Sequence, residues 1–329
     1  MKTVPGLLEI KDLVTEFNGD AGHMIALDHV TFDVNKGEIL GIVGESGCGK
    51  SVTCLSALRL LGTGGKVTSG KVIFDGKELS SLSEKELDKI RGNTLSMIFQ
   101  DALASLNPVF TVGHQLIESI RAHTELRGEA AKAHAVAYLR RVGIPDAENT
   151  MKKYPHTLSG GMRQRVMIAM ALCCGPKLVI ADEPTTALDV TIQAQIMNLL
   201  KSLQKETGMS VILITHDVGL IAQMAERVLV MYAGQIVEEG KVTDIFKNPS
   251  HPYTRALMES VPDIKDAADR RLGSIPGSVP ENYGFMTGCR FAGRCAYATE
   301  ACSAPQIMLP AKEAGHMARC RLMKEKERG

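Results

Sequence analysis

Gly44-Glu45-Ser46-Gly47-Cys48-Gly49-Lys50-Ser51 follows directly on the apolar run Ile39-Leu40-Gly41-Ile42-Val43. The stretch fits the G-x-x-x-x-G-K-[ST] pattern of a phosphate-binding loop, and it stands where such a loop belongs, between a buried strand and the start of a helix. Gly44, Gly47 and Gly49 let the backbone curl around phosphate oxygens with no Cβ in the way. Lys50 supplies charge for the β- and γ-phosphates of a nucleotide, and the Ser51 hydroxyl helps to hold Mg²⁺. Ser46, Cys48 and Val52 complete the set expected against the anion, at the positive end of the helix dipole.

The chain has 329 residues, enough for one large domain and an appendage. Its 38 Lys and Arg nearly balance 37 Asp and Glu, so no basic field argues for a nucleic-acid partner. The longest apolar run, Val166 to Cys174, is far short of the roughly 20 residues of a membrane-spanning helix. Met1 to Gly6 carries no apolar signal region, so a cytosolic address is expected, where eight cysteines are not read as disulfides.

Before the loop, Leu8-Glu9-Ile10, Leu13-Val14 and Val30-Thr31-Phe32 favour short strands, with a turn at Asn18-Gly19-Asp20. An antiparallel lid is expected, with Phe17 either against an adenine ring or in the core. After the loop, Val52 to Leu61 reads as a helix, Lys71 to Phe74 with Asp75-Gly76 as a hairpin, and Ser81 to Leu87 as a short capped helix. Leu95 to Phe99 is an apolar strand ending on Gln100, a polar residue at a strand's carboxyl end, where ligands bind in open α/β sheets. From Asp101 the period turns helical (Val112, Leu116, Ile120; Ala135, Leu139, Val142), so residues 101–165 form an inserted helical subdomain. Ser159-Gly160-Gly161 within it opens a helix and by composition is a second anion-binding terminus.

Leu178-Val179-Ile180-Ala181 is a buried strand tipped by Asp182-Glu183, a pair suited to a metal-bound nucleotide: one acid for Mg²⁺, the other for the attacking water. Thr191 to Lys205 is an amphipathic helix closed by Gly208, and Ser210 to Thr215 is a strand ending on His216-Asp217, where the His reaches a γ-phosphate or caps a helix. Arg227 to Tyr232 and Gln235 to Glu239 close the sheet around Ala233-Gly234. Apolar strands separated by helices make this an α/β fold with a mainly parallel sheet.

The loop at 44–51, Gln100, Leu158 to Gln164, Ile180-Ala181-Asp182-Glu183-Pro184, Ala187-Leu188-Asp189 and His216 together resemble, in order and spacing, the ATP-binding subunits of ABC transporters. The resemblance covers residues 7–247, with 1–247 as the ATPase domain, a P-loop ABC ATPase with an antiparallel β subdomain and the inserted helical one. It implies that Lys50 and Ser51 hold phosphates and Mg²⁺, that Asp182 and Gln100 support the metal, and that Glu183 polarises water. It further implies that His216 contacts the γ-phosphate, that Gln100 links the site to a membrane partner, and that Ser159, Gly160 and Gly161 bind ATP held by a second subunit. The fifth signature position, usually Gln, is Met162, which puts only that contact in question.

The segment from Asn248 to Pro262, including His251-Pro252-Tyr253-Thr254, resembles the one that follows the ATPase domain in the dipeptide and oligopeptide uptake branch, shared with some nickel importers. The resemblance implies an ATPase that powers peptide import, peripheral on the cytoplasmic face of the inner membrane. Its implied partners are a second, unlike ATPase subunit, two membrane permeases and a peptide-binding protein. Nickel import by the same branch and a soluble, non-transport ABC ATPase are the alternatives. A small kinase or GTPase would lack the Ser159-Gly160-Gly161 element.

Residues 248–329 form the extension, where Cys289, Cys295, Cys302 and Cys320 are spaced C-x5-C-x6-C-x17-C. This Gly-, Pro-, Ala- and Arg-rich tail has little core of its own, so a metal site is expected to stabilise it. Four thiolates suit tetrahedral Zn²⁺ or an iron–sulfur cluster, with unligated thiols as the third reading, and the lack of C-x-x-C pairs makes zinc a less natural fit than the cluster. The resemblance implies a [4Fe-4S] cluster, with Arg290, Arg294, Arg319 and Arg321 offsetting the thiolate charge.

Overall fold

The computed structural model describes residues 6–19, 22–186, 188–260, 273, 275–311 and 313–322. Asp20, Ala187, Val261 and Pro262, named above, lie outside the described residues. The chain opens with β1 (Leu8–Gly19) and β2 (Gly22–Val34), an antiparallel hairpin. β3 (Ile39–Val43) is buried at every position and leads through the glycine loop into α1 (Lys50–Leu58). That helix starts at Lys50 rather than Val52 and stops before Leu61, because Arg59 turns into the left-handed region at φ 52° and closes it. β4 (Gly65–Phe74) and β5 (Lys77–Glu78) make the hairpin across Asp75-Gly76. α2 (Glu84–Leu87) is held by reciprocal Ser83–Glu86 capping.

β6 (Leu95–Ile98) precedes α3 (Ala102–Ser105), α4 (Val112–His123), α5 (Gly128–Arg141) and α6 (Ala147–Thr150). Then come α7 (Gly160–Leu172), β7 (Leu178–Asp182), α8 (Val190–Thr207), β8 (Ser210–Thr215) and α9 (Val218–Met224). β9 (Arg227–Tyr232), β10 (Gln235–Lys241), α10 (Val242–Lys247), α11 (Pro252–Glu259), β11 (Leu309–Pro310) and β12 (Met317–Ala318) complete the described elements. No helix among the described residues is long and apolar enough to cross a membrane.

These elements form two compact units. The first comprises Met1–Val34, Ile39–Ser80 and Thr215–Gly329. It holds a four-stranded antiparallel sheet ordered β2-β1-β4-β5, which is the expected lid. It also holds strands ordered β11-β12-β10-β9-β3, with β3 parallel to β9 and the others antiparallel. The C-terminal segment therefore does not need a core of its own. β12 extends the edge of β10, and Tyr283 and Phe291 are buried in the unit that carries the phosphate loop.

The second unit comprises Asn35–Glu38 and Ser81–Ile214. Its strands β8, β7 and β6 run parallel and are almost wholly buried, as continuous apolar runs require. α4 and α5 turn Val112, Leu116, Ile120, Ala135 and Leu139 into the core they share with α7. α8 begins on an Asp189 cap, whose carboxylate accepts from Ile192 N–H at 2.9 Å, and ends at Gly208 with φ 70°.

Candidate functional site

The phosphate loop is shaped by two close approaches. A Cβ on Gly44 would lie 2.2 Å from the Met231 carbonyl of β9, so only glycine lets the chain leave β3 at that point. Gly49 has φ +105°, and a Cβ there would meet Leu27 at 2.9 Å. Between them Cys48 is completely buried, and burial pushes its thiol above the ordinary cysteine range, leaving a neutral loop filler. Lys50 begins α1, and its Nζ donates to the Gly44 and Glu45 carbonyls at 2.8 and 3.0 Å. The ammonium is thus buried inside the curl of the loop. Lys50, Ser51 and Val52 form the first turn of α1, the helix end whose N–H groups and positive dipole face an anion. Ser46 and Gly47 are exposed at the loop's crest. The donors, the curl and the cation all fit a nucleotide polyphosphate.

Phe17 lies on β1 opposite Gly65 of β4, half-buried, its ring so near that a Cβ on Gly65 would sit 2.7 Å away. His216 is exposed just past β8 in the same unit. Asp217 rather than His216 caps α9, accepting from Leu220 N–H at 3.0 Å, which leaves His216 outside the helix.

In the second unit Asp182 ends β7 almost fully buried, and Glu183 follows it half-buried at φ 44°. A non-glycine residue in that left-handed conformation is held there by its surroundings. Here Gln100 Nε2 donates to Glu183 Oε2 at 3.0 Å and Thr186 Oγ1 donates to the same oxygen at 2.9 Å, while Glu183 N–H donates to the Ile214 carbonyl. Both side-chain donors go to one oxygen of the carboxylate. Gln100 and Glu183, expected to act at one site, are therefore in direct contact, and Thr186 is a partner that sequence reasoning missed. Thr186 lies three positions past Glu183, in the turn that Pro184 introduces.

Ser159 caps α7, its hydroxyl accepting from Met162 N–H at 3.4 Å. Gly160 and Gly161 form the first turn, and a Cβ on Gly161 would strike Ile192 of α8 at 2.8 Å. The glycine thus admits α8 beside this helix start. Met162 puts its backbone N–H, not its thioether, into the cap, so the substitution at that signature position leaves the capping intact.

The expected metal centre in the tail is not supported by the described residues. Among the described residues no group of three or more His, Cys, Asp or Glu side chains could hold a metal ion, so neither the [4Fe-4S] cluster nor its Zn²⁺ alternative is supported. Cys289, Cys295, Cys302 and Cys320 do line one hollow, with His251, Phe291 and Tyr297. Burial raises Cys289 and Cys295 above the ordinary range and Cys320 to about 11. The neighbouring arginines are not held for a cluster. Arg290 donates to the Ala233 carbonyl and, at 2.6 Å, to Asp28 Oδ2; Arg319 donates to the Ile236 and Gln306 carbonyls.

Arg294 reaches the phosphate loop itself. Its Nη1 and Nη2 donate to the two carboxylate oxygens of Glu45 at 2.7 and 3.2 Å, and these contacts outweigh burial to hold its pKa above the usual arginine value. Tyr253 joins it, its hydroxyl accepting from Glu45 N–H at 2.9 Å. Tyr232, Tyr253 and Phe291 form one aromatic cluster with centroids 4.7 to 5.4 Å apart. No local sequence signal announces these contacts, since Glu45 meets partners more than two hundred residues away.

Residues 27–186 match the family described as ABC transporter, and residues 237–302 match the oligopeptide/dipeptide transporter C-terminal region. A probable peptide ABC transporter ATP-binding protein, y4tR of Sinorhizobium fredii, is 52% identical over 95% of this chain and 94% of its own length. The oligopeptide transport ATP-binding protein AppD of Bacillus subtilis is 48% identical over 97% of each chain. Among solved structures, the dimeric ATP-binding cassette MJ0796 bound to ADP and Pi covers 71% of this chain and 98% of its own, at 30% identity and a TM-score of 0.65. A phosphate loop, a signature helix and an acidic strand tip, continued by a peptide-transporter C-terminal region, thus occur in one chain with such relatives along almost all its length: it is an ATPase belonging to the ATP-binding subunits of dipeptide and oligopeptide ABC transporters.

Proposed function

We propose that the chain powers peptide import by hydrolysing ATP at the cytoplasmic face of the inner membrane, docked on two permeases that receive substrate from a peptide-binding protein. The observation that carries the catalytic part is the Glu183 carboxylate, held at the tip of β7 by donors from Gln100 and Thr186 in the orientation from which it acts on a water. Lys50 and the first N–H groups of α1 bind the β- and γ-phosphates; Phe17 stacks on the base; His216 contacts the γ-phosphate. Ser51, Asp182 and Gln100 are the residues that would hold Mg²⁺, which would neutralise charge on the phosphates. Ser159, Gly160 and Gly161 present the signature helix to ATP held by a second cassette, which makes hydrolysis depend on association. The reading needs a second cassette but not an unlike one, for no relative's name supports an unlike partner. The same names favour peptides over nickel as cargo and transport over a soluble role. The helical subdomain, 101–165, is the part proposed to meet the permease, with Gln100 passing the state of the site to it.

Co-expression with the permeases and measurement of ATP binding, ATP hydrolysis and peptide uptake in vesicles tests this reading. Glu183→Gln is expected to keep ATP binding and stop turnover, trapping a closed dimer, and Lys50→Ala to lose nucleotide affinity. Undiminished hydrolysis by Glu183→Gln in the assembled transporter would remove Glu183 from its role.

A further inference from the structure

We propose that the C-terminal segment acts on nucleotide binding directly, with Arg294 and Tyr253 as positioning residues that hold Glu45 away from the phosphate site. The proposal rests on reading residues 44–51 as the nucleotide loop. Glu45 is a carboxylate directly after the first glycine of a loop built to hold an anion of several negative charges. Left to itself it would oppose phosphate binding and compete for the Lys50 ammonium, whose Nζ already sits 3.0 Å from the Glu45 carbonyl.

The structure resolves that conflict from the far end of the chain. Both carboxylate oxygens are taken by the Arg294 fork, a planar pairing that fixes direction as well as charge. The Glu45 N–H is turned to the Tyr253 hydroxyl, which fixes the backbone at the loop's second position. Arg294 is itself immobilised. Its side chain is only 9% exposed, its Nε donates to the Pro276 carbonyl at 2.7 Å, its Nη2 to the Gly277 carbonyl at 3.1 Å, and its Nη1 to the Tyr232 hydroxyl at 3.2 Å. Tyr232 in turn packs against Tyr253 and Phe291. The loop's geometry is therefore set from one side by β3 and α1 and from the other by the C-terminal segment, all within one compact unit. Displacement of the segment would release a negative charge into the phosphate site, so the contact also lets the state of the segment set ATP affinity.

The test is equilibrium binding of Mg·ATP to the full chain, with melting temperature and circular dichroism recorded for every variant. Tyr253→Phe removes only the hydroxyl and is expected to weaken binding about five-fold. Arg294→Met is expected to weaken it about ten-fold or more, because Glu45 is then unpaired beside the phosphates. Adding Glu45→Gln to Arg294→Met should bring affinity back to within about two-fold of Glu45→Gln alone. A general loosening of the fold would not produce that recovery. Arg294→Met binding within two-fold of wild type, or no recovery in the double variant, would overturn the proposal. A wild-type chain that fails to bind Mg·ATP overturns the loop reading beneath it; binding lost in Lys50→Ala but indifferent to Arg294→Met and Tyr253→Phe overturns only the positioning role.

Discussion

Replacing Glu238 with glutamine should loosen the C-terminal segment from β10. The Glu238 side chain is fully buried, with one oxygen 2.6 Å from His316 Nε2 and 2.7 Å from Ser250 N, which donates to it, while the other accepts from His251 N–H at 2.8 Å. Glutamine offers one acceptor oxygen and turns an NH₂ toward a backbone N–H that already donates. It also removes the charge that holds His316, whose side chain is fully buried as well. Breaking one partner of a buried pair costs about 3–5 kcal/mol. For a chain of this size that corresponds to a fall in melting temperature of about 4–7 °C. The pH dependence carries the sign. Burial works against the imidazolium of His316, but hydrogen bonds and charge from Glu238 and Glu313 raise its pKa above the usual value of 6.5. The pair's contribution is thus fully present below pH 6.5 and is lost as pH rises through the folded pKa. Differential scanning fluorimetry at pH 6 and pH 8, with hydrogen exchange of residues 313–318, reads it out. The gap between wild type and Glu238→Gln should be larger at pH 6 and narrow at pH 8, with exchange at 316–318 faster in the variant. A variant that melts within about 1 °C of wild type at pH 6, or a gap that widens with pH, would refute the reasoning.

On the acid side His251 works with the opposite sign. Burial pulls its pKa down to about 4, so stability should fall by up to about 3 kcal/mol as pH drops from 6.5 toward 4, and denaturant titrations of wild type and His251→Gln should converge there. Gly41→Ala should cost about 1–3 kcal/mol, since its Cβ would come within 2.8 Å of Ile221 on α9; Ile221→Val, which shortens that side chain, should restore part of the loss in thermal melts. Gln100→Ala removes a donor to Glu183 and should lower kcat in the assembled transporter about ten-fold with little change in ATP affinity, whereas a rise in KM alone would mean that Gln100 serves binding.

What the sequence by itself determined is what depends on neighbours along the chain. The phosphate loop, the strand that feeds it, the helix start at Ser159 and the acidic tip of β7 are all patterns of a few residues, legible because backbone sterics and capping act locally. Gln100, Asp182 and Glu183 were readable for the same reason, each standing at the end of an apolar run. Tertiary structure alone decided what passes between distant segments. Thr186 on Glu183, Tyr253 and Arg294 on Glu45, and the burial of Glu238 against His316 need the folded chain, because hydrogen bonds and ion pairs depend on distance in space and leave no period in sequence. The cysteine-rich tail shows the difference most plainly. Its spacing and meagre apolar content suggest a segment in need of a metal, yet its strand, aromatic residues and arginines are stabilised on the body of the ATPase. A residue count over the tail cannot include the β10 edge, Tyr232 and Asp28 that complete its core.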